Sequence, residues 1–466
     1  MEFFYFIGLL IVVAWGGLLL VRGGPIVGAL LVLLAGTCFG HPFFNVPLGR
    51  IPLTADRLLL VVLVAQYLLY RRWGWIGAKP VGAADYLLFG FIAVLVLSTL
   101  MHDFHFRNEL PLSQLLFYFL MPVALYWVVR GSEFDSRSVA WLFGSLVVFG
   151  VYLAVTAVAE THQQFWLVYP KYIASSDFRD FLGRARGPLL NPVGNGMLLA
   201  LSTCAAVIWW PATNRCYRGL ILAALAVLAW GMYSTLTRSV WMGAAGGLLV
   251  VCTAVLPTRW RVFAVGSAAV AAAIVLSVGW DNLMAFKRDQ DASAEDTADS
   301  VRLRPILATV AWHMFLDRPL FGCGYGQYLQ EVPDYLSDRT TELPLERARP
   351  YVQHNAFLAM LVETGLVGLG LFLALLVVWT RAAWRLCKHA AAPIWARQTA
   401  LLFLAFMGIY LPNAMFHEVS IIPMINMVLF FLGGAIMSLS SGVASATSQE
   451  RIHLWLPEEE LVGAAG

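Results

Sequence analysis

The stretch "QHNAFLAMLVETGLVGLGLFLALLVVWT", Gln353 to Thr380, decides the fold class. From Ala356 to Thr380 it carries one charged side chain, Glu363. A helix rises 1.5 Å per residue, and about 20 mostly apolar residues cross a bilayer core. The run is therefore long enough to span, and it begins with a histidine and an asparagine at the point where water would give way to lipid.

Comparable runs recur along the chain. They cover Leu53–Tyr70, Ala84–Met101, Leu112–Val129, Val139–Ala159, Val193–Trp210, Leu220–Thr235, Val240–Leu256, Val262–Gly279, Thr399–Phe416 and Val419–Met437, with two short runs split by "RGGP" in the first forty residues. The composition agrees, with 60% of 466 residues hydrophobic and only 13% charged, where a soluble domain is roughly half apolar. The expectation is an all-α, polytopic membrane protein with about 12 transmembrane helices, 12 or 13 depending on the N-terminal pair. The N-terminus lacks a basic n-region and a small-residue cleavage site, so it reads as a retained helix.

Basic residues cluster in alternate loops: "RRWGWIGAK" (71–79), "RGSEFDSR" (130–137), "NRCYR" (214–218), "TRWR" (258–261) and "RAAWRLCKH" (381–389). Short cytoplasmic loops carry such an excess, which puts these segments inside. The long loops Glu160–Pro192 and Trp280–Gln353 then face the other side, and the chemistry is expected there. The six cysteines show no disulfide or metal-ligand spacing. The net charge of +3, spread over the inner loops, suits membrane topology better than nucleic acid. No repeat of 20–50 residues stands out. The polar stretch "KRDQDASAEDTADS", 287–300, reads as a mobile part of the large loop.

Three patterns have plain readings. "GCGYGQ" (322–327) has the glycine density of a phosphate loop but no βαβ unit around it, so a tight turn between amphipathic loop helices is expected. "HDFHF" (102–106) lacks a third metal ligand, and "HE" (417–418) reads as a solvated turn. The arginines are harder to dismiss. Arg184 and Arg186 in "RARGPLLNP" stand where the first long loop re-enters the membrane, Arg238 in "LTRSVWMG" sits in a short turn between spans, and Arg302 and Arg304 lie in "VRLRPI". Charges at such depths are costly and usually functional. A cluster of guanidinium forks suits a phosphate anion.

"HNAFLAMLVETGLVGLG", "DRPLFGCGYGQY", "RARGPLLNP" and "LTRSVWMG" together resemble the O-antigen ligase/polymerase superfamily of bacterial envelope proteins, over about Arg184 to Gly370. The resemblance implies a GT-C-like, lipid-linked glycosyltransferase in the inner membrane, working at the periplasmic face without metal or other cofactor. Its donor would be an undecaprenyl-pyrophosphate glycan. It further implies that His354 is the catalytic base and that Arg184, Arg186, Arg238 and Arg304 hold the pyrophosphate, with Asn355, Arg302 and Arg349 in support. The chemistry is coherent: an attacking sugar hydroxyl needs a base, whereas a departing pyrophosphate needs charge stabilisation. A helix N-terminus together with Arg347 and Arg349 favours neutral imidazole at His354. Asn355 is a candidate cap. Glu363, nine residues on, falls on the opposite side of the helix, and a polar contact to a neighbouring helix is expected. The acceptor remains open between lipid A-core oligosaccharide, a growing polymer and a protein; the first is preferred for the large loop. A transporter of polyprenyl-linked glycans is the competing class, and it would show internal repeats, helices broken at mid-membrane and charges deep in the spans.

Overall fold

The computed structural model describes residues 2–40, 42–48, 51–102, 111–175, 177–178, 181, 183–278, 294–337, 341–349 and 351–455. Thirteen helices carry the architecture: α1 Glu2–Cys38, α2 Ala55–Arg72, α3 Ala83–Met101, α4 Pro111–Gly131, α5 Ser136–Thr161, α6 Pro192–Trp209, α7 Arg215–Ser234, α8 Arg238–Val255, α9 Thr258–Val278, α10 Ala294–Asp317, α11 Ala356–Lys388, α12 Ile394–Phe416 and α13 Pro423–Trp455. Very short strands at Val46–Leu48 and Ile51–Leu53 pair antiparallel between α1 and α2.

Among the described residues, ten helices are long and apolar enough to cross a membrane, fewer than the 12 or 13 spans expected. Two differences account for this. The two N-terminal runs meet at Gly24 (φ +69°) before Pro25, where the "RGGP" motif breaks α1, and among the described residues Val21–Cys38 qualifies as a span. Helices α2 and α9 stand where spans were expected but fall outside the ten. In α2, Asp56, Arg57, Arg71 and Arg72 occupy both ends of an 18-residue helix and shorten its apolar part.

Helices α6, α12 and α13 form the centre, with most of their residues buried. Small residues let backbones touch there, as expected for helix pairs in lipid. A Cβ on Gly246 of α8 would lie 2.7 Å from the Gly408 carbonyl oxygen of α12.

Two of the basic segments, 71–79 and 130–137, meet at one end of the bundle. Arg130 donates to both carboxylate oxygens of Asp85, and Lys79 Nζ donates to the Ser132 carbonyl and Ser438 Oγ, both at 2.7 Å. The opposite end, called the site end below, gathers the two long loops.

The larger loop builds a core of its own. Leu303, Ile306, Leu307, Val310, Ala311 and Met314 form one stripe of α10 at helical spacing. They pack on Cys323, Tyr328, Val332, Leu345 and, from α11, Val362. Helix α10 starts at Ala294, so the second half of the polar stretch expected to be mobile is helical; 287–293 lie outside the described residues.

Candidate active site

Helix α11 begins as its sequence suggests. Asn355 is the N-cap, its side-chain oxygen accepting from the backbone N–H of Phe357 at 3.0 Å and of Leu358 at 2.9 Å. His354, just before the cap, has φ +51°, a left-handed conformation that costs a non-glycine residue on the order of 1 kcal/mol. The same device recurs at the site end. Leu190 (φ +52°) precedes the cap Asn191 of α6, and Leu236 (φ +49°) precedes the cap Thr237 of α8. Each left-handed residue turns the incoming chain sharply, so a loop that has run along the surface enters a helix directly. In α11 the residue that takes this strained position is the histidine.

Eleven residues past His354, α11 breaks. Gly365 has φ +66° and ψ −164°, so the helical bonds from Leu366 N to Val362 O and from Val367 N to Glu363 O cannot form. The segment Pro319–Gly324 fills the gap. Cys323 N donates to Val362 O at 2.9 Å and Gly324 N to Glu363 O at 3.0 Å, while Leu366 N and Val367 N donate to Pro319 O at 2.9 Å and Leu320 O at 3.1 Å. All four stranded backbone groups are satisfied by one inserted strip, which an apolar surrounding demands. Glycine makes the insertion possible. A Cβ on Gly322 would lie 2.4 Å from Val362 O, and one on Gly365 2.3 Å from Leu320 O. Gly324 backs onto His102 of the α3 C-terminus and Gly326 onto Pro111 of α4. "GCGYGQ" is thus a backbone splice, not the simple turn expected, because each glycine lets a different element come close.

Glu363 serves the same splice. Its carboxylate accepts from the backbone N–H of Gly326 and of Tyr328, the residue that opens the short helix Tyr328–Glu331. His102, from the pair weighed as metal ligands, bonds through Nδ1 to Ser98 O at 2.8 Å; 103–110 lie outside the described residues. Glu418 is partly buried beside Glu363, with its Oε2 enclosed, where a solvated turn was expected. Burial pushes its carboxyl up to about 8, and the nearby Glu363 adds to the push. An unfolded glutamate titrates near 4.3. The folded protein therefore binds the extra proton between those values, and its stability falls as pH rises through that window. Glu418→Gln is expected to raise the thermal midpoint more at pH 8 than at pH 5. Equal shifts at both pH values would mean that Glu418 does not titrate there.

The arginines divide into two groups. Arg186 is 0% exposed. It pairs with Glu160 at 3.2 Å and donates to the carbonyls of Phe178 and Ile173, while Glu160 also accepts from Gly187 N at 3.0 Å. Arg184, 2% exposed, donates to Thr235 O at 3.3 Å and to Thr237 Oγ1, and so ties its loop to the α7–α8 turn. Both were expected to hold an anion; in the structure both are enclosed and hydrogen-bonded to protein groups, as a buried guanidinium must be. Glu160, the decisive partner, lies 26 positions upstream, too far for local pattern to pair it with Arg186.

Arg238 and Arg304 are only partly buried. Arg238 opens α8, and Gly243 beside Asn413 sets the register that brings it level with the Phe416 end of α12. The Arg304 guanidinium lies over the Phe416 ring, 5.2 Å from its centroid. Two cations thus flank one helix end. Arg349 is exposed, 4.0 Å from Glu346, and the Arg302 side chain lies outside the described residues.

Comparison with curated proteins found no match. Residues 223–373 match the family described as O-antigen ligase. That range contains Arg238, Arg304, the whole splice, His354 and Asn355, and it excludes the enclosed Arg184 and Arg186. The match supports function of the O-antigen ligase or polymerase type in a multi-pass membrane protein. Over this segment, about a third of its length, the chain is similar to the O-antigen ligase family.

Proposed function

We propose that the protein is a glycosyltransferase of the bacterial inner membrane that moves O-antigen polysaccharide from undecaprenyl pyrophosphate to lipid A-core oligosaccharide, with its site on the periplasmic side. The observation that carries this reading is the presence of two partly exposed arginines, Arg238 and Arg304, at the end of the bundle where His354 is held at a helix start. Neutral imidazole at His354 takes the proton of the attacking acceptor hydroxyl. The bond between the anomeric carbon and phosphate oxygen breaks, its electrons leave with the pyrophosphate, and Arg238 and Arg304 stabilise that charge. Because guanidinium groups neutralise the leaving group, the reaction proceeds without a divalent metal. Arg186 and Glu160 brace the loop, and Arg184 positions the turn that bears Arg238.

The splice also bears on the transporter alternative. Helices broken in transporters leave free backbone groups for their cargo, whereas all four groups freed at Gly365 are occupied by protein. A deletion strain separates the acceptors. Loss of every long-chain lipopolysaccharide band over an intact core supports ligation. A single repeat unit on the core points to a polymerase, and an unchanged ladder rejects both.

Arg238→Ala is expected to weaken donor binding and transfer by about 10- to 100-fold, the worth of a charged hydrogen bond. Arg238→Lys should recover only part, having lost the fork. Full recovery by lysine, measured by donor binding and transfer on purified protein, would leave Arg238 a generic positive charge.

A further inference from the structure

The loop that follows α5 presents large apolar side chains outward at the site end. Phe165 is 45% exposed, Trp166 73%, Leu167 45% and Tyr169 50%. Between them Val168 points inward and is fully buried on Ala159 and Ile173, so the outward set is held from beneath. Such a patch facing water would be a liability.

The backbone of this loop is finished in an unusual way. The Gln164 carbonyl accepts from Leu167 N at 3.0 Å. Lys171 Nζ donates to the carbonyls of Phe165 at 3.0 Å and Trp166 at 3.2 Å, and Tyr152 OH donates to the carbonyl of Tyr169. A loop bathed in water has no need of side chains to satisfy these carbonyls; a loop immersed in lipid does, because nothing there replaces water. The patch is also continuous with the lipid-facing surface of the spans. His162, at the start of the loop, packs edge-on against the exposed Trp230 of α7 at 5.8 Å, one turn before the exposed Tyr233.

We propose that residues 163–171 form a wedge that enters the lipid leaflet at the site end, seating Phe165, Trp166 and Leu167 at the boundary between headgroups and acyl chains. Aromatic side chains favour that depth. The wedge is rigidly joined to the loop of Arg184 and Arg186, since Arg186 Nη2 donates to the carbonyl of Ile173, two residues past Lys171. Its occupation of the leaflet does not depend on which reaction the arginines serve.

The test places an environment-sensitive fluorophore on the full-length chain, with the exposed Cys216 changed to serine and a cysteine introduced by Trp166→Cys or, separately, by Leu167→Cys. Each protein is reconstituted in nanodiscs of phosphatidylethanolamine and phosphatidylglycerol, and Ser337→Cys, on the exposed part of the large loop, provides the aqueous control. Both wedge probes should emit at shorter wavelength than the control. They should also be quenched more by a nitroxide placed high on the lipid acyl chain than by iodide in solution. Iodide quenching of both wedge probes equal to that of the control would overturn the proposal. Glycosyl transfer is not read in this experiment, so its outcome is separate from that of the catalytic assignment.

Discussion

His354→Asn lowers glycosyl transfer by about 10²- to 10⁴-fold, the range expected for removal of a general base, while donor binding and membrane insertion stay nearly unchanged. Asparagine is the informative substitution because it tolerates a left-handed backbone better than most residues and cannot take a proton near neutral pH. Alanine would confound the result, since it adds backbone strain at φ +51° to the loss of the imidazole. Transfer to purified acceptor, measured across pH beside donor binding, checks the assignment. In the unmutated protein the rate should rise with pH as the imidazolium loses its proton, because only the neutral ring can act as base. Normal transfer by His354→Asn, or failure explained wholly by lost donor binding, would remove His354 from the base role.

The largest effect on folding is expected at the splice. Gly365→Ala and Gly322→Ala each add a Cβ at 2.3–2.4 Å from a backbone oxygen, at positions with φ +66° and +71°. Backbone on both sides has nowhere to move without breaking the four inserted hydrogen bonds, so each change should cost more than about 4 kcal/mol and abolish accumulation of folded protein. Gly370→Ala in the same helix is the control. It has no atom within 4 Å of the added Cβ and no positive φ, so it should be neutral or gain about 1 kcal/mol of helix propensity. Size-exclusion profiles and thermal midpoints in detergent would separate the three. Wild-type behaviour of Gly365→Ala would mean that α11 is not broken as described.

Hydrophobic run length made the membrane class and most helices legible, because each span is encoded by its own contiguous residues. The cap at Asn355 was legible for the same reason: it involves three neighbouring positions. The glycines were noticed but misread, since what they approach lies about forty positions downstream for Gly322 and on α3 and α4 for the other two. The arginines could not be told apart for a related reason. Sequence placed all of them near one boundary, but only folding decides that Glu160 claims Arg186 while Arg238 and Arg304 stay partly exposed. The helix count was harder to read at α2, where charges at both helix ends shorten the apolar centre.

The splice has one more consequence. By clasping Pro319–Gly324 to Val362–Val367, it closes the intervening chain into a ring whose two ends are fixed beside each other. Closing a longer ring costs little more than a shorter one, about 0.6 kcal/mol for each doubling. The exposed parts of that ring, outside the residues Val332, Leu336, Leu345 and Ala348 that pack against α10, can therefore lengthen, shorten or be exchanged between relatives, while the clasp holds both α11 and the membrane spans where they are. Diversity in what approaches His354 from the aqueous side can accumulate there without disturbing the machinery beneath it.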